Sequence, residues 1–177
     1  PYTTLFRSSS AIVTISGASD VFVGGVTAYR DEIKISHLNV DPELIEKHTV
    51  ISEEVAVAMA KGAIKSFGTT WAIGTTGVAG PNPLDGHPVG VVWVAIEGPV
   101  SQTIELSLSG ERESVRNAAT SSAIATFARV FRSLGIRTVV CTSSVSCCVN
   151  VLMSATHANL PHECMHVKRK MHGCASV

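Results

Sequence analysis

Several things are scarce in this chain, and each scarcity removes a class of function. There is no surplus of charge: Lys+Arg and Asp+Glu number 14 each, so the formal net charge is zero. That balance excludes a chain-wide electrostatic footprint for nucleic acid or an anionic membrane surface. Aromatic residues make up only 5%. Long apolar runs are missing, since none reaches the roughly 18 residues that span a bilayer. The nearest, over 139–153, is interrupted by serines and Asn150. No charged segment leads into an apolar h-region, so no secretory signal is visible and a cytoplasmic location is expected. Cysteine does not occur before Cys141.

What is abundant is alanine, valine, glycine and isoleucine, the composition of an α/β protein with tight helix–strand packing. At 177 residues the chain is long enough for one domain with a proper core. Residues 9–15 read as the last turns of a helix, and Gly17-Ala18-Ser19-Asp20 as a turn. Residues 21–28 read as a buried strand, with Gly24-Gly25 marking a bulge or a close backbone approach. Asp31 is expected to cap a helix toward Leu38, making Lys34 its third helical residue. Asp41-Pro42 repeats the start signal. Ser52 caps a third helix with Val55, Met59, Ala60, Ala63, Ile64 and Phe67 at helical spacing, ended by Gly68. Strands follow over 71–76, 89–96 and 102–108, then a long helix from Gly110-Glu111-Arg112 to about Leu134. The expected architecture is a single-domain α/β/α sandwich, its central sheet covered by helices on both faces.

Both ends look foreign to this middle. Residues 1–8 read Pro-Tyr-Thr-Thr-Leu-Phe-Arg-Ser, one reading frame of a widely used sequencing adapter. They are read as an adapter-derived segment fused to a domain spanning 9–134 that is truncated at its start. Residues 135–177 read as an irregular or out-of-frame tail. All five cysteines (Cys141, Cys147, Cys148, Cys164 and Cys174) lie there, with His157, His162, His166 and His172. A zinc site is the sharp reading of that cluster, but there is no pair of CxxC units, and Cys164-Met165-His166 is too tight for a usual ligand pair. No metal is expected, and no cofactor.

The segment from Val21 to Lys34 is the most telling. It places Tyr29 at the end of an apolar run and Lys34 at the start of a helix. The positive end of the helix macrodipole disfavours a cation there, which pushes the lysine toward service as a base. A second segment, Thr75-Thr76-Gly77-Val78-Ala79-Gly80-Pro81, is a strand running into a glycine-rich turn.

Taken together, these segments resemble the C-terminal domain of the CinA family, also called the nicotinamide mononucleotide deamidases. The resemblance rests on Gly17-Ala18-Ser19, on Val26-Thr27-Ala28-Tyr29 through Glu32-Ile33-Lys34, and on Leu38-Asn39-Val40. It continues through residues 48–56, Thr76-Gly77-Val78-Ala79-Gly80-Pro81, residues 88–93 and Gly110-Glu111-Arg112, collinear over about 9–134. It implies an α/β sandwich that hydrolyses the carboxamide of nicotinamide mononucleotide to nicotinate mononucleotide and ammonia. It also implies Ser19 as nucleophile and Lys34 as base. Three departures stand out. The family's Ser-Cys-Thr-Gly-Gly segment, expected just before Ser9, is replaced by the octapeptide. Asp31 stands for the usual Asn, and Glu111 for the usual Asp.

Amide hydrolysis needs a nucleophile, a base, a proton for the leaving ammonia and donors for the oxyanion. A serine activated by a lysine meets the first two needs. Tyr29 is placed to relay a proton or orient the serine. Thr76 matches a polar site residue, and the backbone N–H groups between Gly77 and Gly80 suit an oxyanion or phosphate. Arg112, at a helix start, suits the substrate phosphate. Each residue also has a plain reading: Ser19 as a turn residue, Lys34 as a solvated helix lysine, Tyr29 as a core residue at a strand end, Arg112 as a surface cation, and Gly77 and Gly80 as backbone geometry. His48 and His87 are read as structural, without a matching acid. Nicotinamide mononucleotide is the expected partner, with no nucleic acid and no membrane, in a homo-oligomer. A non-catalytic interaction module tied to competence and DNA damage is the alternative, and an inactive fragment a third reading.

Overall fold

The computed structural model describes residues 7–135, together with the backbone of two short strands, Val139–Val140 and Val149–Asn150, which pair antiparallel. The remaining residues, with all five cysteines and the tail reading, lie outside the described part.

Chain order begins with α1 (Arg7–Val13), a 3-10 turn (Ala18–Asp20), α2 (Asp31–Leu38), α3 (Pro42–His48) and α4 (Glu53–Phe67). Strands β1 (Ala72–Gly77), β2 (Val91–Glu97) and β3 (Gln102–Ser107) follow, and then α5 (Arg112–Ser133). The strands form one antiparallel meander, β1-β2-β3, with Thr76 opposite Trp93 and Val94 opposite Ile104. Side chains alternate across a strand, so β2 serves two cores at once. Val92, Val94 and Ile96 pack with Val115, Ala123, Ile124, Phe127 and Phe131 of α5. Ala95 packs on the other face against Ala56 and Ala60 of α4. The sheet is thus covered on both faces, as the sandwich reading requires.

The α5 side holds the bulk: Trp71, Phe127 and Phe131 form an aromatic trio with ring centroids 4.6 to 5.9 Å apart. The α4 side is built for closeness instead. A Cβ at Gly74 of β1 would lie 2.2 Å from the Ala56 carbonyl oxygen, and one at Gly62 of α4 would lie 1.6 Å from that of Leu38. Glycine at these two positions lets helix approach strand, and helix approach helix, at backbone distance.

Local signals account for most boundaries. The Asp41 carboxylate accepts from the Glu43 N–H at 2.9 Å, with Pro42 at the first helical position. The Ser52 hydroxyl accepts from the Val55 N–H at 3.3 Å, and Gly68 closes α4 in the left-handed region.

Two expectations are corrected. Residues 21–28 form no strand. Their hydrogen bonds include local ones, Phe22 N–H to the Ala18 carbonyl at 2.8 Å and Tyr29 N–H to that of Thr27 at 3.0 Å. Gly24 and Gly25 are exposed and have no side chain with which to hold a ladder position. The second concerns α2, whose N-cap is Arg30 rather than Asp31. Asp31 is the first helical residue and Lys34 the fourth, because the Asp31 carboxylate takes the Lys34 ammonium instead of a backbone N–H.

Candidate functional site

The missing strand leaves a cleft. Residues 21–29, which form no strand, run beside the edge of β1 that has no strand partner among the described residues, and the space between them opens into a cavity of about 400 Å³. Its floor is β1 from Ala72 to Gly77. The irregular segment 21–29 forms one wall, and the first turns of α1 and α5 form the other. The volume lies in the range of small-molecule sites.

The fold brings Tyr29, Thr76, Gly77 and Arg112 to this cleft from segments far apart in sequence. Gly80 adjoins it: its carbonyl accepts from Arg112 Nη1 at 2.6 Å, tying the glycine-rich turn to the start of α5. Tyr29 stands at the lip, 71% exposed. Thr76 is buried and its hydroxyl donates to the Val50 carbonyl at 2.7 Å. Strand alternation turns its neighbour Thr75 to the opposite face, where it is exposed. Thr75 therefore offers the cleft a hydroxyl free of any hydrogen bond among the described residues. The sequence does not single it out, because in a pair of adjacent threonines on a strand nothing local says which one meets a carbonyl.

Ser19 and Lys34 do not line the cleft. Ser19 is exposed on the 3-10 turn. Lys34 is only 6% exposed, and its ammonium donates to Asp31 Oδ1 at 2.8 Å. No hydrogen bond joins the two. His48 does have an acid beside it, Glu54 at 3.2 Å, and His87 Nε2 lies 3.3 Å from the Thr49 hydroxyl, but neither histidine faces the cleft.

Electrostatically the cleft has one marked feature. Arg7, Arg112 and Arg116 share its α1–α5 wall. Arg7 pairs with Glu113 at 3.1 Å and Arg112 is held by Gly80, whereas Arg116 has no acceptor for its guanidinium among the described residues. Burial pushes Arg116 below the ordinary arginine range. The charges of Arg7 and Arg112 push it the same way, against Glu113 and Tyr29. Arg116 lies one helical turn beyond Arg112, a spacing the sequence shows but no motif had marked.

The family model described as the CinA C-terminal domain matches residues 7–131. The chain belongs to the CinA C-terminal domain family. Among curated relatives, a competence-damage inducible protein of Lysinibacillus sphaericus is 46% identical over 114 residues, covering 63% of this chain and 27% of that protein. A CinA-like protein of a Synechococcus strain is 48% identical over 91 residues, covering 51% of this chain and 22% of its own length. The chain thus spans about a quarter of the length of the curated relatives it matches. Among solved structures, a CinA superfamily protein of Klebsiella pneumoniae superposes with a TM-score of 0.71 at 27% identity, covering 73% of this chain and 82% of that one. One from Escherichia coli gives 0.69 at 29% identity, covering 72% and 75%. The CinA match begins at Arg7, so it takes in two residues of the octapeptide set aside above. No helix among the described residues is long and apolar enough to cross a membrane.

Proposed function

We propose that this CinA domain is an amidohydrolase that converts nicotinamide mononucleotide to nicotinate mononucleotide and ammonia. The observation that carries the reading is the cleft, where Tyr29, Thr76, Gly77 and Arg112 meet in a space of mononucleotide scale bordered by guanidinium groups. In the reaction, the Ser19 hydroxyl attacks the carboxamide carbon and its proton passes to the Lys34 amine. N–H groups of the 77–80 turn other than that of Val78, which donates to the Val91 carbonyl at 2.9 Å, receive the oxyanion. Collapse breaks the C–N bond, ammonia leaves with the proton from Lys34, and water cleaves the acyl-serine to carboxylate.

For Lys34 to serve, its ammonium must give up both Asp31 and a proton, and Ser19 must reach the cleft. Residues 21–29, which lie between Ser19 and α2, form no strand, and they are the segment that would carry that approach. We propose cytoplasmic action as a homo-oligomer, with the mononucleotide as partner and no nucleic acid.

The test is ammonia release from nicotinamide mononucleotide, by this chain and by a form with Ser-Cys-Thr-Gly-Gly restored ahead of Ser9. Ser19→Ala and Lys34→Ala should each lower turnover by about 10²–10⁴. Lys34→Arg should not restore it, because arginine stays protonated. Full turnover by Ser19→Ala would place the nucleophile elsewhere. No release by either unmutated form would favour a non-catalytic module of the kind the competence and damage names of the relatives suggest.

A further inference from the structure

An ammonium carries several N–H donors, and buried Lys34 fills one of them among the described residues, on Asp31 Oδ1 at 2.8 Å. The N-cap Arg30 makes no side-chain bond to the helix start, so first-turn N–H groups of α2 were open to the Asp31 carboxylate, which is spent on Lys34 instead. The other acid of that turn, Glu32, is turned to Arg30 at 3.9 Å, where both side chains are well exposed. The place of Lys34 on α2 matters as much as its partner. Leu38 lines the cleft, and Lys34 lies one helical turn before it, on the same face of the helix. Tyr29, just ahead of α2, lines the cleft too. Lys34 is thus kept out of the cleft by the direction of its side chain and not by the position of its backbone, and Asp31 is the contact that sets the direction.

We infer that Asp31 is a positioning residue that restrains the base: it holds Lys34 as an ammonium at the start of α2, and the amine enters the cleft only in the fraction of molecules where that pair is broken. This role rests on Lys34 being the base of the reaction proposed above. The ion pair lasts only while Lys34 keeps its proton, so a single contact withholds both the lone pair of the amine and its reach into the cleft. Changing the carboxylate to a carboxamide keeps the shape and an acceptor oxygen but removes the charge, and a charge-assisted hydrogen bond is roughly twice as strong as a neutral one. Asp31→Asn should therefore raise the released fraction by about 3–10-fold, and a step that needs the released form should speed up by the same factor.

Two measurements test this on the full chain. Limited acetylation with acetic anhydride, read by peptide mass spectrometry, reports a neutral and accessible amine without any catalysis. In the parent, Lys34 should acetylate more slowly than the exposed Lys61 and Lys65. In Asp31→Asn it should gain about 3–10-fold on those two lysines, whereas in Asp31→Glu, which keeps the charge, it should stay within about twofold of the parent. Ammonia release from nicotinamide mononucleotide is the second readout, on whichever form of the chain shows it. There kcat of Asp31→Asn should rise by about 3–10-fold with KM within about twofold, because Asp31 does not line the cleft. A merely structural role for Asp31 predicts the reverse, a lower kcat from a frayed helix start. Equal acetylation of Lys34 in parent and Asp31→Asn would overturn the restraint, as would faster acetylation with a kcat no higher than that of the parent. Faster acetylation where no form releases ammonia would uphold the hold of Asp31 on Lys34 and remove the hydrolase reading.

Discussion

Gly62→Ala should destabilise this protein, although in an ordinary helix it would do the reverse. Gly62 lies in the second half of α4, where alanine is worth roughly 0.8–1 kcal/mol more than glycine by helix propensity alone. Its Cα faces α2, and an added Cβ would stand 1.6 Å from the Leu38 carbonyl oxygen and 2.5 Å from its carbonyl carbon. To reach even the shortest contact that real Cβ atoms show, the two backbones must part by ~1.4 Å. The obstruction is backbone, so no rotamer change relieves it. Such overpacking costs about 1–3 kcal/mol, and more where nothing yields. Moving α2 would also loosen Leu38 and Val40 from Val55 and Met59, in a part of the core where all four are buried. Because the contact is backbone on backbone, the cost falls at the upper end of that range or beyond, and after the propensity gain the net expectation is a loss of about 2 kcal/mol or more, a fall in melting temperature of roughly 4–8 °C. Urea denaturation followed by far-UV circular dichroism measures it, with Lys65→Ala as an exposed control on the same helix that should stay within about 0.5 kcal/mol. A Gly62→Ala protein as stable as the parent, or more so, would refute the close approach of α2 and α4. Because α2 carries Lys34, the same variant should lose activity if Lys34 takes part in the reaction.

Other outcomes follow from the same packing. Ser52→Ala removes the cap of α4 and the hydroxyl's bond to the Thr49 carbonyl at 3.0 Å, and should cost about 1 kcal/mol in chemical denaturation. Phe127→Ala empties the centre of the aromatic trio and should cost about 3–5 kcal/mol, with loss of near-UV dichroism from Trp71. Gly74→Ala should destabilise like Gly62→Ala, since its Cβ would meet the Ala56 carbonyl. Glu113→Gln should leave stability within about 0.5 kcal/mol in thermal melts, because its pair with Arg7 is largely exposed at the carboxylate end. Size-exclusion with light scattering checks the proposed homo-oligomer, and a monomer at all concentrations would exclude it.

Parts of this fold whose cause is local can be read from the order of residues alone. Helix starts at Pro42 and Glu53 were legible because Asp41 and Ser52 carry their own capping oxygens. The two-sided burial of β2 was legible because an unbroken apolar run leaves no face for water. The long amphipathic α5 announced itself by the spacing of Val115, Phe127 and Phe131. Family membership was legible because many short segments keep their order, even though none suffices alone. Features that depend on a neighbour distant in the chain cannot be read that way. Residues 21–28 have a strand's composition, but strand formation needs a paired edge, and here the segment and the edge of β1 stand apart around a cleft. Asp31 has a cap's chemistry, yet the buried Lys34 ammonium is the stronger claim on its carboxylate. Nothing in the sequence distinguishes Gly62 from any other helix glycine; the Leu38 carbonyl packed against it does. The sequence marks Arg112 but not Arg116; that Arg7, Arg112 and Arg116 share one wall belongs to the arrangement and not to any stretch of chain.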